Sequence, residues 1–182
     1  MDGGLLIIGN GISFVAAIFM VASCVVKRKR TIFLCQFLEC ALLAVASVFF
    51  GALAGMTTLV FSAIRNLLVA NDRYTKPMMT VFLILTIVAG VLANTRGLVG
   101  LLPVFATVEY TICCHYIVGE KATKCSIFVN VLLWVIYSFL ICDLSTAVSD
   151  TIVLLVDAVA IIRLFQREWM ERKAVSTVDD ST

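Results

Sequence analysis

Charge is scarce in this chain. Of its 182 residues only 14% are Asp, Glu, Lys or Arg, against roughly 25% in an ordinary soluble domain. That shortage excludes a water-soluble globular domain, a disordered chain and a nucleic-acid binder with a basic face. Proline is nearly absent: Pro77 and Pro103 are the whole complement. Histidine occurs once, at His115, so neither a zinc site nor a Ser/His/Asp set finds its residues. The sequence also has no G-x-S-x-G, no H-E-x-x-H and no G-x-x-x-x-G-K-[ST]. No enzymatic activity, metal or cofactor is therefore expected. The seven cysteines are an odd count in or beside apolar stretches, with no C-x-x-C pair. They read as small packing residues and not as a disulfide framework.

Hydrophobic residues are what the chain has in abundance. They make up 62% of it, with a mean hydropathy of +1.07. A membrane helix needs about 20 apolar residues. Charges, turns and prolines divide the chain into seven such segments: about Leu5–Val26, Thr31–Phe50, Met56–Val69, Met78–Ala93, Leu98–Val118, Cys125–Cys142 and Leu144–Phe165. A tight turn, Gly51 to Gly55, separates the second from the third, and Pro77 suits the start of the fourth. None shows sustained period-2 alternation, so helices are expected and not a β-barrel.

The first segment has Asp2 before it and Lys27-Arg28-Lys29-Arg30 after it, the reverse of a cleaved signal peptide. It reads as a retained helix with its N-terminus outside. With that orientation, every Lys and Arg except Arg96 falls on or near the cytoplasmic side, as the positive-inside rule asks. Seven spans, N-out and C-in, is the consistent topology.

The outer triplets of segments share a layout: a long helix, a basic loop, a second helix, a very short turn and a third helix. A shift of 94 places Lys27 on Lys121, Arg30 on Lys124 and Gln36 on Asn130. By the third helix a shift of 98 places Arg65 on Arg163. The short fourth segment makes the two triplets parallel. The expected architecture is all-α and integral to the membrane. Residues 1–70 form a first three-helix repeat, 71–97 a linker helix with its loops, 98–166 a second repeat, and 167–182 a frayed cytoplasmic tail. This 3+1+3 order is that of transporters whose sites lie between parallel repeats.

Polar side chains within the spans mark the candidate site, because each costs roughly 2.5–3.5 kcal/mol to insert if ionised. Glu39, Glu109 and Asp157 fall near mid-membrane, and Asp150 shares a helix face with Asp157. Gln36 shares a face with Glu39, and Asn130, Trp134 and Ser138 form an i, i+4, i+8 stripe. Asp157, Glu39, Gln36, Asn130, Trp134 and Ser138 are expected to bind a small polar solute. Asp150, Glu109, Arg65 and Arg163 are candidates for proton coupling or gating. The blander alternatives are pairing between helices for the acids and snorkelling to the surface for the two arginines.

Four ordered stretches carry a resemblance: Phe61-Ser62-Ala63-Ile64-Arg65-Asn66-Leu67, Gly100-Leu101-Leu102-Pro103-Val104, Trp134-Val135-Ile136-Tyr137 and Ile161-Ile162-Arg163-Leu164-Phe165. In order and spacing they resemble the YgjV family of bacterial inner-membrane proteins. The resemblance implies a multi-spanning protein of the bacterial cytoplasmic membrane, similar in layout to sugar-efflux, PQ-loop and nicotinamide-riboside carriers. The Pro-Gln dipeptide of PQ-loop proteins is absent, and Ser62, either Asp157 or Ala160, and Ser138 stand where the family tends to carry Asn. The expected function is a solute carrier working by alternating access, with a non-transporting scaffold or regulatory subunit as the alternative. The expected partners are the lipid bilayer and an unidentified small solute, with a homodimer left open and no nucleic acid.

Overall fold

A computed structural model of the chain describes residues 3–26, 28–116 and 120–179. Lys27 lies outside them, as do the side chains of Cys24, Lys29, Cys114, His115, Lys121, Lys124, Arg172 and Lys173. Among the described residues there are seven helices and no strand: α1 (Gly3–Val25), α2 (Lys29–Phe49), α3 (Leu53–Ala70), α4 (Lys76–Leu92), α5 (Leu98–Tyr116), α6 (Glu120–Ile141) and α7 (Leu144–Asp179). Three stretches, Gly3–Ser23, Arg30–Phe49 and Leu53–Ala70, are long and apolar enough to cross a membrane. Lys76–Leu92, Leu98–Cys113 and Cys125–Ile141 are apolar but shorter.

Three limits differ from expectation, the first being that α6 begins at Glu120 and not at Cys125. Gly55 belongs to α3, and the turn before it shrinks to Phe50–Ala52. The tail expected to fray is helical as far as Asp179. Residues 166–179 contain no Gly or Pro and several strong helix formers, and α7 supplies a nucleus to extend from.

The two shortest turns are built alike. After α2, Gly51 takes φ +61°, its N–H donates to Val48 O, and the Ala52 N–H donates to Ser47 O. After α6, Cys142 takes φ +65°, its N–H donates to Phe139 O, and the Asp143 N–H donates to Ser138 O. Both are left-handed helix ends that satisfy the last carbonyls and start the next helix at once. They fix α2 against α3, and α6 against α7, as antiparallel neighbours.

Packing closes the helices into a ring. Helix α1 packs on α2, α2 on α3, α3 on α5, α5 on α6, α6 on α7, and α7 back on α1. Helix α4 packs only on α3 and α5. Polarity is inverted relative to a soluble protein. Large apolar side chains face outward, with Ile7 75% and Leu92 81% exposed, while Ser13, Thr58, Ser62, Asn66 and Thr111 are buried. Hydrocarbon tolerates the first and offers the second no hydrogen bonds, so the bundle turns its polar groups inward.

One end of the ring is filled. Ala46, Phe50, Ala52, Tyr137 and Ile141 form a buried cluster, with Trp134 edge-on to Tyr137 at 5.8 Å between ring centroids. Two glycines let the large rings in. A Cβ at Gly9 would stand 2.8 Å from the Phe50 ring, and one at Gly55 would stand 2.7 Å from the Tyr137 hydroxyl.

The seam between first and last helix is polar. Asp143 accepts hydrogen bonds from Ser13 Oγ at 2.8 Å, Thr146 N at 3.1 Å and Thr146 Oγ1 at 2.8 Å. It thus caps α7 and ties α1 to it. Asn10 adds a second tie, donating to Cys142 O and accepting from Ser145 N. Burial pushes the Asp143 carboxyl above its ordinary range, against the pull of the Thr146 and Ser13 bonds. A raised folded-state value means that this group's contribution to stability is full below the ordinary carboxylate range. It fades as pH rises through the folded value.

Gly55→Ala should cost about 1–3 kcal/mol in an unfolding measurement, with Tyr137→Phe recovering part of it. A Gly55→Ala protein as stable as the parent would contradict the close approach. For the seam, a double-mutant cycle of Ser13→Ala and Asp143→Ala should give a coupling of about 0.5–3 kcal/mol. Asp143→Asn should also flatten the fall in stability with rising pH; strict additivity in the cycle would dismiss the tie.

Candidate functional site

Inside the ring, on the side of the filled end nearer the α1–α2 loop, lies a cavity of about 260 Å³. All six ring helices line it. Helix α1 gives Met20 and Ser23, α2 gives Gln36 and Cys40, and α3 gives Ser62, Arg65 and Asn66. Helix α5 gives Thr107 and Tyr110, α6 gives Asn130 and Trp134, and α7 gives Val153 and Asp157. In the ring order α3 stands opposite α7, and α2 opposite α6. Arg65 and Asn66 therefore occupy the wall facing Asp157.

The polar lining follows from helical periodicity. Gln36 and Cys40 are one turn apart on α2, Ser62 and Asn66 one turn apart on α3, and Val153 and Asp157 one turn apart on α7. Each pair presents one stripe of its helix to the interior.

Arg65 is the densest point of the site. It is 7% exposed. Its Nη1 donates to Thr111 Oγ1 at 2.8 Å, and Nε and Nη2 donate to Asn66 Oδ1 at 3.4 and 3.3 Å. Its guanidinium lies over the Tyr110 ring, 5.2 Å from the centroid, a cation–π arrangement. The cluster is held from behind: Asn66 Nδ2 donates to Cys40 Sγ at 3.7 Å, and Thr111 Oγ1 donates to Thr107 O at 2.6 Å. These bonds join α2, α3 and α5. Across the ring, Asn130 Nδ2 donates to Ala106 O at 2.6 Å, which fixes α6 to α5. Among the described residues the buried Thr107 Oγ1 has no hydrogen-bond partner.

The structure gathers five of the expected residues, Gln36, Arg65, Asn130, Trp134 and Asp157, around one cavity. It places the other five elsewhere. Glu39 is turned off the Gln36–Cys40 stripe and stands within electrostatic reach of Asp150. Asp150 lies two turns along α7 from Asp157, toward the filled end. Ser138 is one turn beyond Trp134, buried at that same end. Glu109 faces α6, where its Oε1 accepts from Ser126 Oγ at 2.8 Å and from Cys113 Sγ at 3.1 Å. Arg163 is exposed. The matched positions of the two arginines thus hide opposite environments: snorkelling suits Arg163 and fails for the buried Arg65.

Sequence reasoning missed Asn66, Ser62, Thr107, Tyr110 and Thr111. One signal was present: Thr107 and Thr111 are a turn apart on one face of α5, and Asn66 directly follows an arginine within a span.

No curated protein and no solved structure matches the chain. A family model described as a bacterial inner membrane protein, Imp-YgjV, matches residues 7–168, nearly the whole chain. That match agrees with the apolar helices and the inverted polarity of the bundle, and it places the protein in the bacterial inner membrane. The chain belongs to the Imp-YgjV family.

Proposed function

We propose that the protein is a small-solute carrier that works by alternating access to the cavity within its six-helix ring. One observation carries this reading. A cavity lined by all six ring helices, with Gln36, Arg65, Asn66, Asn130 and Asp157 in its walls, abuts through Trp134 a filled end where Phe50 and Tyr137 close the bundle. A site sealed on one side and hollow on the other is what one state of a carrier requires.

Internal symmetry supports it. A shift of 91 places Gln36 on Ile127, Cys40 on Val131, Ser62 on Val153 and Asn66 on Asp157, and all eight line the cavity. The same shift superposes the two left-handed turns, Gly51 on Cys142. It differs from the shift of 94, which rested on the basic loops and on Gln36 with Asn130, and from the shift of 98, which rested on Arg65 with Arg163. Under it the related helices stand opposite one another in the ring: α2 across from α6 and α3 across from α7. A two-fold axis along the membrane normal, through the cavity, has that consequence. Helix α4, outside the ring, then acts as the linker that makes the two triplets parallel.

Positive-inside counting puts the N-terminus outside and the cavity on the cytoplasmic half, with the Phe50–Tyr137 cluster as an external gate. Neither a catalytic residue nor a cofactor enters this reading. The second reading, a non-transporting membrane subunit, draws on an apolar groove on α2 and α3. There Ala41, Ala44 and Ala63 leave room between Phe37, Val45, Met56 and Ile64, as a helix of another subunit or a second copy would need.

Two experiments test the carrier. In a background without native cysteines, Asn130→Cys should react with an impermeant thiol reagent from the cytoplasmic side only. Adding Tyr137→Ala should raise external labelling at least fivefold. Labelling from neither side, or no response to Tyr137→Ala, favours the subunit. The orientation is checked by fusing a periplasm-active reporter after Arg96 and after Lys173. Only the first fusion should be active, and the reverse pattern would overturn the topology.

A further inference from the structure

The charge inside the cavity narrows what can enter it. Arg65 is buried, and each partner the described residues give its guanidinium is neutral: Thr111, Asn66 and the Tyr110 ring. A guanidinium has five N–H groups. Three are used in these bonds, which leaves two. A buried charge without a counter-charge is among the costliest features of a membrane interior. A second polar group awaits a partner beside it. The Thr107 hydroxyl is buried and unpartnered among the described residues, lines the same cavity and lies one turn before Thr111. Asp157 lines the wall opposite, 7% exposed. The Trp134 ring gives the same cavity an apolar surface.

We propose that the cavity receives a small organic acid, its carboxylate held by Arg65 with Thr107, and its donor-bearing end turned toward Asp157. This deepens the carrier reading and rests on it for the role of the cavity. A carboxylate is planar and presents two oxygens, the geometry a guanidinium fork matches. One negative charge balances one Arg65. A phosphate dianion would exceed it while facing Asp157. The Asp157 carboxylate has several acceptor sites, so an amine or hydroxyl at the far end of the acid can donate to it and a methyl group cannot. Amino acids and hydroxy acids are the class with both ends.

The test is a thermal-shift series on the purified, detergent-solubilised protein at constant ionic strength. The probes are alanine, lactate, phenylalanine, phenyllactate and propionate, each beside its primary amide, with inorganic phosphate in parallel. At least one amino or hydroxy acid should raise the unfolding midpoint, and its amide should not. Arg65→Lys, which keeps the charge but loses the fork, should need at least tenfold more of the acid. Arg163→Gln, exposed and outside the cavity, should behave as the parent.

Amides matching their acids would overturn the proposal, and so would stabilisation by phosphate alone or by none of the probes. Propionate equal to alanine and lactate would remove Asp157 from it. If the Arg65 variant does not yield monodisperse protein, the acid–amide comparison on the parent decides. Binding of an acid without its counterflow in proteoliposomes would sink the carrier and leave this assignment standing. Counterflow of acid and amide alike would do the opposite.

Discussion

The absence of hydrogen-bonding solvent around the helices governs everything else in this structure. In hydrocarbon an unsatisfied polar group costs several kcal/mol. The chain answers by turning serines and threonines, Asn66 and, among the described residues, one buried arginine, Arg65, into the bundle. That answer needs a closed figure, because an open row of helices would leave some polar stripe facing lipid. The closure is made at the α1–α7 seam by Ser13, Asp143 and Asn10, and it is the polar groups themselves that make it.

Given a closed ring, size does the sorting. At one end Phe50 and Tyr137 occupy the axis because Gly9 and Gly55 leave space for them. At the other end Arg65 is held against Thr111 and Tyr110 on its own side of the ring, the walls between carry side chains such as Ser23, Gln36 and Asn66, and a cavity remains. Trp134 belongs to both regions and forms the boundary between them. Hollow and seal thus come from one pattern of side-chain volumes along six helices. The charge pattern laid over it is unequal: a guanidinium on the α3 wall and a carboxylate on the α7 wall.

Much of the fold was legible in the sequence, because hydropathy and turn chemistry are local. The seven helices, most of their limits and the start at Pro77 follow from runs of apolar residues and the polar breaks between them. The extension of α7 was not legible as a span, since its last part is charged and helical for reasons of propensity alone. The site was legible in part. Asp157, Gln36, Asn130 and Trp134 stand out because they are polar or large within apolar runs. Glu39 stands out equally, yet sits off the cavity, because a difference of one residue turns a side chain about 100° around a helix. Which face of α2 looks inward is set by its contacts with α1 and α3, and no single helix carries that information. Arg65 shows the same limit from the other side. Its burial depends on Thr111 and Tyr110, forty-odd positions away and on another helix.

Helix α4 gives the two halves unequal borders. It rests on both α3 and α5 and is joined to each by a short loop, so that border is strapped from outside. The α1–α7 border has no such strap and is held by side-chain hydrogen bonds that water can replace one for one. If the protein is the carrier proposed above, a parting of the halves would swing about the strapped border as a door does on its hinge. On the carrier reading, the free edge of that door would be the α1–α7 border, with Asp143 as the latch.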